Sequence, residues 1–152
     1  MREIRIFIDK EGVYEEVAQT TSYTGAKMMD GDERAYERIF TTQEDRSQLE
    51  RFWDESCTAV CEKMKEFILE EKRTAEGFII NLGLSSAFEP ALETAMKKEM
   101  FSFFVTGIVG KWYVFTNKGE AGEYVGGAAE MLEGIKRKAC HRRKPKRPTR
   151  RI

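Results

Sequence analysis

The chain has 152 residues, of which 41% are hydrophobic, 11% aromatic and 34% charged. That length and apolar content suit one globular domain whose core needs no disulfide or metal, and they exclude an intrinsically disordered chain. The formal net charge is zero, but residues 1–140 carry 19 Lys and Arg against 26 Asp and Glu, whereas residues 141–152 carry seven Lys and Arg and no acid, so a partner for the basic end is expected.

Glu3–Lys10 alternates Ile4, Ile6 and Ile8 with Arg5, Phe7 and Asp9, the pattern of a half-buried strand. Val13–Ala18 fits a second strand or the start of a short helix, because Val13, Tyr14 and Val17 suit either period. Thr20–Asp32 is rich in turn formers and reads as loop-like. Thr41-Thr42-Gln43-Glu44 reads as a capping box. Leu49, Phe52, Trp53, Ser56, Val60, Met64, Phe67 and Ile68 then recur at three- and four-residue steps, which predicts a helix from Thr42 to Glu71.

Phe78–Leu84 alternates again and predicts a strand. Pro90 marks the first turn of a helix over Glu89–Phe115. Asn117 with Glu120 marks the start of a last helix, which carries Tyr124, Ala128, Met131, Leu132 and Ile135 on one stripe and ends near His141. The expected fold is therefore α+β: three main helices, two of them long, with a small sheet of two to three strands over residues 1–140. Residues 141–152 follow as a disordered, extended basic tail, broken by Pro145 and Pro148.

Two segments point to contacts. Met100–Phe115 is apolar on every face, which demands burial on every side. Its burial is expected within the protein or against another subunit, with Phe101, Phe103, Phe104, Trp112 and Tyr113 as the candidate interface. A hairpin turning at Gly107 or Gly110 is a third reading. The last helix holds Gly119, Gly122, Gly126, Gly127 and Gly134, each a cost of about 1 kcal/mol relative to Ala, so close packing or assembly must compensate. In the tail, Arg142, Arg143, Lys144, Lys146, Arg147, Arg150 and Arg151 form the candidate contact arm, suited to nucleic-acid phosphates or to an acidic protein surface. No aromatic residue interleaves them, so base stacking is not expected.

Other classes find less support. The single His lies beside the tail, no glycine-rich phosphate loop is present, and the acids are scattered along helix faces, so no enzyme is expected. Cys57 and Cys61 stand one helical turn apart and Cys140 adjoins His141, but short zinc knuckles are lacking, so neither metal nor cofactor is expected. An odd cysteine number with no secretory signal predicts reduced thiols in the cytoplasm. The uncharged stretch Met100–Gly110 is far shorter than the ~20 residues of a membrane span, so no membrane partner is expected.

FSFFVTGIVGKWYVFTNK at residues 101–118 and KRKACHRRKPKRPTR at residues 136–150 resemble small proteins of bacterial prophages and related mobile elements. TTSYTGAK and FTTQEDRSQLERFW look like parts of the same pattern. The resemblance implies a virion-assembly role as a neck, head–tail connector or tail component, with the chain itself or neighbouring particle proteins as partners and incorporation into a virion. It carries over no catalytic residue.

Overall fold

The structure, a computed structural model, describes residues 1–28 and 34–145. Strand β1 spans Arg2–Asp9 and leads directly into helix α1, Lys10–Met28. The Asp9 carboxylate accepts from the Gly12 N–H at 3.2 Å and so caps that helix. A short helix α2, Ala35–Ile39, and a 3₁₀ turn, Gln43–Asp45, precede α3, Arg46–Lys63. Strands β2, Ile68–Arg73, and β3, Gly77–Leu84, form a hairpin, and the long helices α4, Glu93–Thr116, and α5, Lys118–Cys140, complete the chain.

The fold is α+β, with an antiparallel sheet in the order β1-β3-β2. One sheet face supplies Ile4, Ile6, Ile8, Phe78, Ile80, Leu82 and Leu84 to the core, where Val13, Val17, Trp53, Phe104 and Ile108 meet them. Helix α4 is the centre of the molecule: α1 and α3 flank it, and α5 packs along it more extensively than any other pair of elements. An all-round apolar helix thereby finds neighbours on nearly every side.

Four local expectations need correction. Thr20–Asp32 is not a loop as far as it is described, because α1 runs through to Met28, and this also resolves Val13–Ala18 as helix. Thr21 and Thr24 continue the buried stripe of Val13, Tyr14 and Val17. As polar residues they leave no hydrophobic period to read. Thr21 Oγ1 donates to the Val17 carbonyl at 2.9 Å and accepts from the Thr41 N–H at 3.2 Å, which ties α1 to the segment before α3.

The helix expected over 42–71 stops at Lys63. Met64 is buried, a turn follows with Phe67 N–H donating to the Met64 carbonyl, and Ile68–Arg73 is strand. The ILEEKR sequence has no alternation of its own. It is extended because β3 offers a free backbone edge, and Glu70–Lys72 and Glu71–Arg73 pair along it at 3.4 and 3.7 Å. The capping box lies one residue later than expected, on Thr42 and Asp45, with the Thr42 N–H 2.8 Å from Asp45 Oδ2.

The tail also begins differently. Arg142 pairs antiparallel with Phe88, and the Arg143 N–H donates to the Ala87 carbonyl at 2.7 Å. Its first residues are thus held against the body rather than disordered. Lys146, Arg147, Arg150 and Arg151 lie outside the described residues.

Candidate contact surface

The apolar residues of α4 divide sharply. Phe103, Phe104 and Tyr113 are buried within the chain, and Phe101 and Trp112 are half-buried against the same core. Phe104 lies between Trp53 and Phe78, with ring centroids 4.7 and 5.9 Å away. Trp112 Nε1 donates to the Ile39 carbonyl at 2.7 Å, so this indole anchors α2. These five side chains serve the internal core. The helix instead exposes Val114 and Phe115, the latter 66% accessible with its ring stacked 6.5 Å from Phe52.

The glycines of α4 and α5 divide as well. A Cβ on Gly110 would stand 3.1 Å from the Val125 backbone nitrogen, so Gly110 marks close approach of α4 and α5, whereas one on Gly134 would meet only the end of the Glu99 side chain. Gly122 and Gly126 face open space. Asn117 precedes α5 but caps it through its carbonyl, which accepts from Glu120 and Ala121, rather than through its side chain.

The basic end is assembled where α5 stops. Lys136 and Lys138 are engaged by Glu66 at 3.6 Å and Glu99 at 2.5 Å, which fastens the last turns of α5 to the body. His141 then turns the backbone into an extended path. Pairing with Ala87 and Phe88 fixes that path, and Arg142, Arg143 and Lys144 project from it, exposed. None of the three has an ion-pair partner among the described residues. Their charge is therefore available to an outside group, beside the favourable negative end of the α5 dipole.

The titratable groups of the body are settled ones. A cavity of about 370 Å³ opens between α1 and the start of α3, lined by Glu11, Tyr14, Thr42 and Arg46 among others. Arg46 grips Glu11 through two hydrogen bonds of 2.7 and 2.8 Å and lies 4.6 Å from the centre of the Tyr14 ring. The hydrogen bond from Arg46 holds the Glu11 carboxyl below its ordinary range, while burial raises the Tyr14 phenol. Neither group changes protonation near neutral pH. Among the described residues no cluster of three His, Cys, Asp or Glu side chains is placed to hold a metal ion, and the three cysteines are free.

Sequence reasoning missed the outer face of the sheet. Glu3, Arg5 and Phe7 project from β1 on the side away from the helices, and Arg5, Glu70, Lys72, Ile79 and Asn81 line a shallow depression there. Their alternation with the buried Ile residues was the available signal. It marked them as solvent-facing without showing which strand neighbours they had. No helix among the described residues is long and apolar enough to cross a membrane. Comparison with protein-family models, curated proteins and solved structures returns no match.

Proposed function

We propose that the protein acts by contact rather than by catalysis, as a structural component of a phage-like particle that docks through its basic C-terminal end. One observation carries this reading: Arg142, Arg143 and Lys144 are exposed and unpaired among the described residues, on a backbone pinned to Ala87 and Phe88. Anchored cations lose less freedom on docking than cations on a free chain, so more of their attraction survives as affinity. The partner is an acidic surface, on a neighbouring particle protein or on another copy of this chain, whose first 140 residues are net acidic.

A second reading, a small accessory protein that binds nucleic acid without sequence preference, rests on the same unpaired cations, because they suit phosphates equally well. The two readings separate by competition. Purified products of the neighbouring genes should bind the protein at low salt, and excess unrelated duplex DNA should leave that binding intact. Changing Arg142, Arg143 and Lys144 together to Gln keeps the backbone pairing and should shift stability by less than about 0.5 kcal/mol while abolishing the binding. Loss of binding in excess DNA would favour the second reading. Unchanged binding by the triple variant would exclude Arg142, Arg143 and Lys144 as the docking residues.

A further inference from the structure

The two edges of the sheet are built differently. The β2 edge carries a register irregularity between Ile68 and Glu70 and four consecutive charged residues, Glu70–Arg73. Both are devices that discourage another strand from pairing. The β1 edge has no such irregularity: it runs eight residues in unbroken register with β3, contains no proline, and carries its charges, Arg2, Glu3, Arg5 and Asp9, as both signs interspersed with apolar residues.

The hydrogen-bonding phase of β1 follows from its neighbours. The Lys10 N–H donates to the Glu76 carbonyl at 3.0 Å, which extends the β1–β3 ladder, and the Gly83 N–H, opposite Glu3, donates instead to Phe67 on the β2 side at 2.7 Å. In an antiparallel ladder, bonded and non-bonded pairs alternate. The even-numbered residues of β1 therefore bond to β3, and Glu3, Arg5 and Phe7 turn their N–H and C=O groups outward. Among the described residues no other strand pairs with this edge. Glu3, Arg5 and Phe7 are also the residues with exposed side chains.

We infer that β1 is a self-pairing edge, and that two copies of this chain join their sheets through it in one antiparallel register. A two-fold axis between identical edge strands makes them antiparallel and opposes odd residues to odd residues. Four registers satisfy that condition and pair at least five residues of β1 with its copy. The one with its axis at Phe7 sets Arg5 against Asp9 twice but carries the second copy's residues before Arg5 past Asp9 and over the start of α1 at Lys10. Three remain. One sets Arg5 against Arg5 of the second copy, and another sets Glu3 against Asp9 twice; both place like charges face to face, which is unfavourable. The third has its axis at Ile4. It sets Glu3 against Arg5 twice and Met1 against Phe7 twice, so every outward pair is complementary. Met1 and Phe7 are 76% and 49% exposed in the single chain, and this register covers both. It also ends the partner strand at Phe7, clear of the start of α1 at Lys10. This inference does not depend on the basic end or its partner.

The register prescribes its own test by sedimentation velocity from micromolar to millimolar protein. The unaltered chain should dimerise reversibly. Glu3→Arg alone and Arg5→Glu alone each turn both attractive pairs repulsive, and should weaken the dimer roughly tenfold or more. Mixing the two variants creates Arg–Glu pairs on both sides of the axis and should restore association, as should the double exchange in one chain. Amide exchange of the unaltered protein supplies a readout free of any variant: Glu3, Arg5 and Phe7 should gain protection as concentration rises. A chain that stays monomeric throughout, charge variants that dimerise as tightly as the original, or a mixture that does not recover would each overturn the proposed pairing.

Discussion

Burial decides the chemistry of the three cysteines one residue at a time. Cys57 is fully buried in α3, and loss of solvent pushes its thiol up to about 12; Cys61, half-buried one turn later, is raised by the same cause. A raised thiol holds less of the reactive thiolate at neutral pH. Cys140 lies exposed at the end of α5. Limited maleimide at neutral pH should therefore label Cys140 first and Cys61 more slowly. Cys57 should react only once the protein unfolds. Peptide mapping by mass spectrometry reads the order, and early modification of Cys57 would contradict its place in the core. The spacing of Cys57 and Cys61 was plain in the sequence, but their unequal access was not, since it depends on which helix face meets α4 and the sheet.

At the scale of elements, the α4–α5 pair shows why a glycine-rich helix is tolerated. Gly110 sits where the partner backbone approaches closely and Gly134 where the Glu99 carboxylate lies, whereas Gly122 and Gly126 face open space and only lower the helix propensity of α5. Gly126→Ala should thus stabilise the protein by about 0.5–1 kcal/mol. Gly110→Ala should destabilise it by about 1–3 kcal/mol, because its methyl group would press on Val125 and Tyr124. Urea denaturation of the two variants tests both signs. Equal effects would mean that the helices do not approach at Gly110. The sequence raised the question of what compensates these glycines. Only the packing separates those that are needed for close approach from those that are not.

For the whole molecule, stability should hold across a plateau bounded by two kinds of group. Glu11, Glu55 and Glu133 are held below the ordinary carboxylate value of 4.5, chiefly by hydrogen bonds from Arg46, Lys111 and Lys63. Their contribution is present above the unfolded carboxylate pKa and fades as pH falls through the lower folded values. These pairs are largely exposed, so the acid decline should be shallow and weaker in high salt. At the alkaline end, burial raises Tyr113 from 10.0 to about 12 and Cys57 from 9.0 to about 12. A raised group favours the folded state below its unfolded pKa, and that preference is lost as pH rises toward the folded one. Denaturation midpoints measured across pH should stay level between about 5 and 9 and fall on both sides, more steeply in alkali. A maximum confined to acid pH would show that these assignments are wrong.

Sequence was enough for the elements whose pattern is local. Ile4, Ile6 and Ile8 alternate in β1, Phe78–Leu84 alternates in β3, and the apolar residues of α4 could only be a buried segment, because exposing them to water on any face is costly. It also determined the split between an acidic body and a basic end. The rest follows from packing between distant segments. Glu70–Arg73 is strand because β3 supplies backbone partners, not because its side chains favour extension. Thr21 and Thr24 are core residues because α1 packs on α4, although a hydroxyl carries no hydrophobic signal. The docking of Arg142 beside Phe88 joins residues far apart in the chain, and the outward phase of Glu3, Arg5 and Phe7 depends on which side of β1 is occupied by β3. In each case the deciding partner is distant in sequence, so no local pattern of residue types could have specified it.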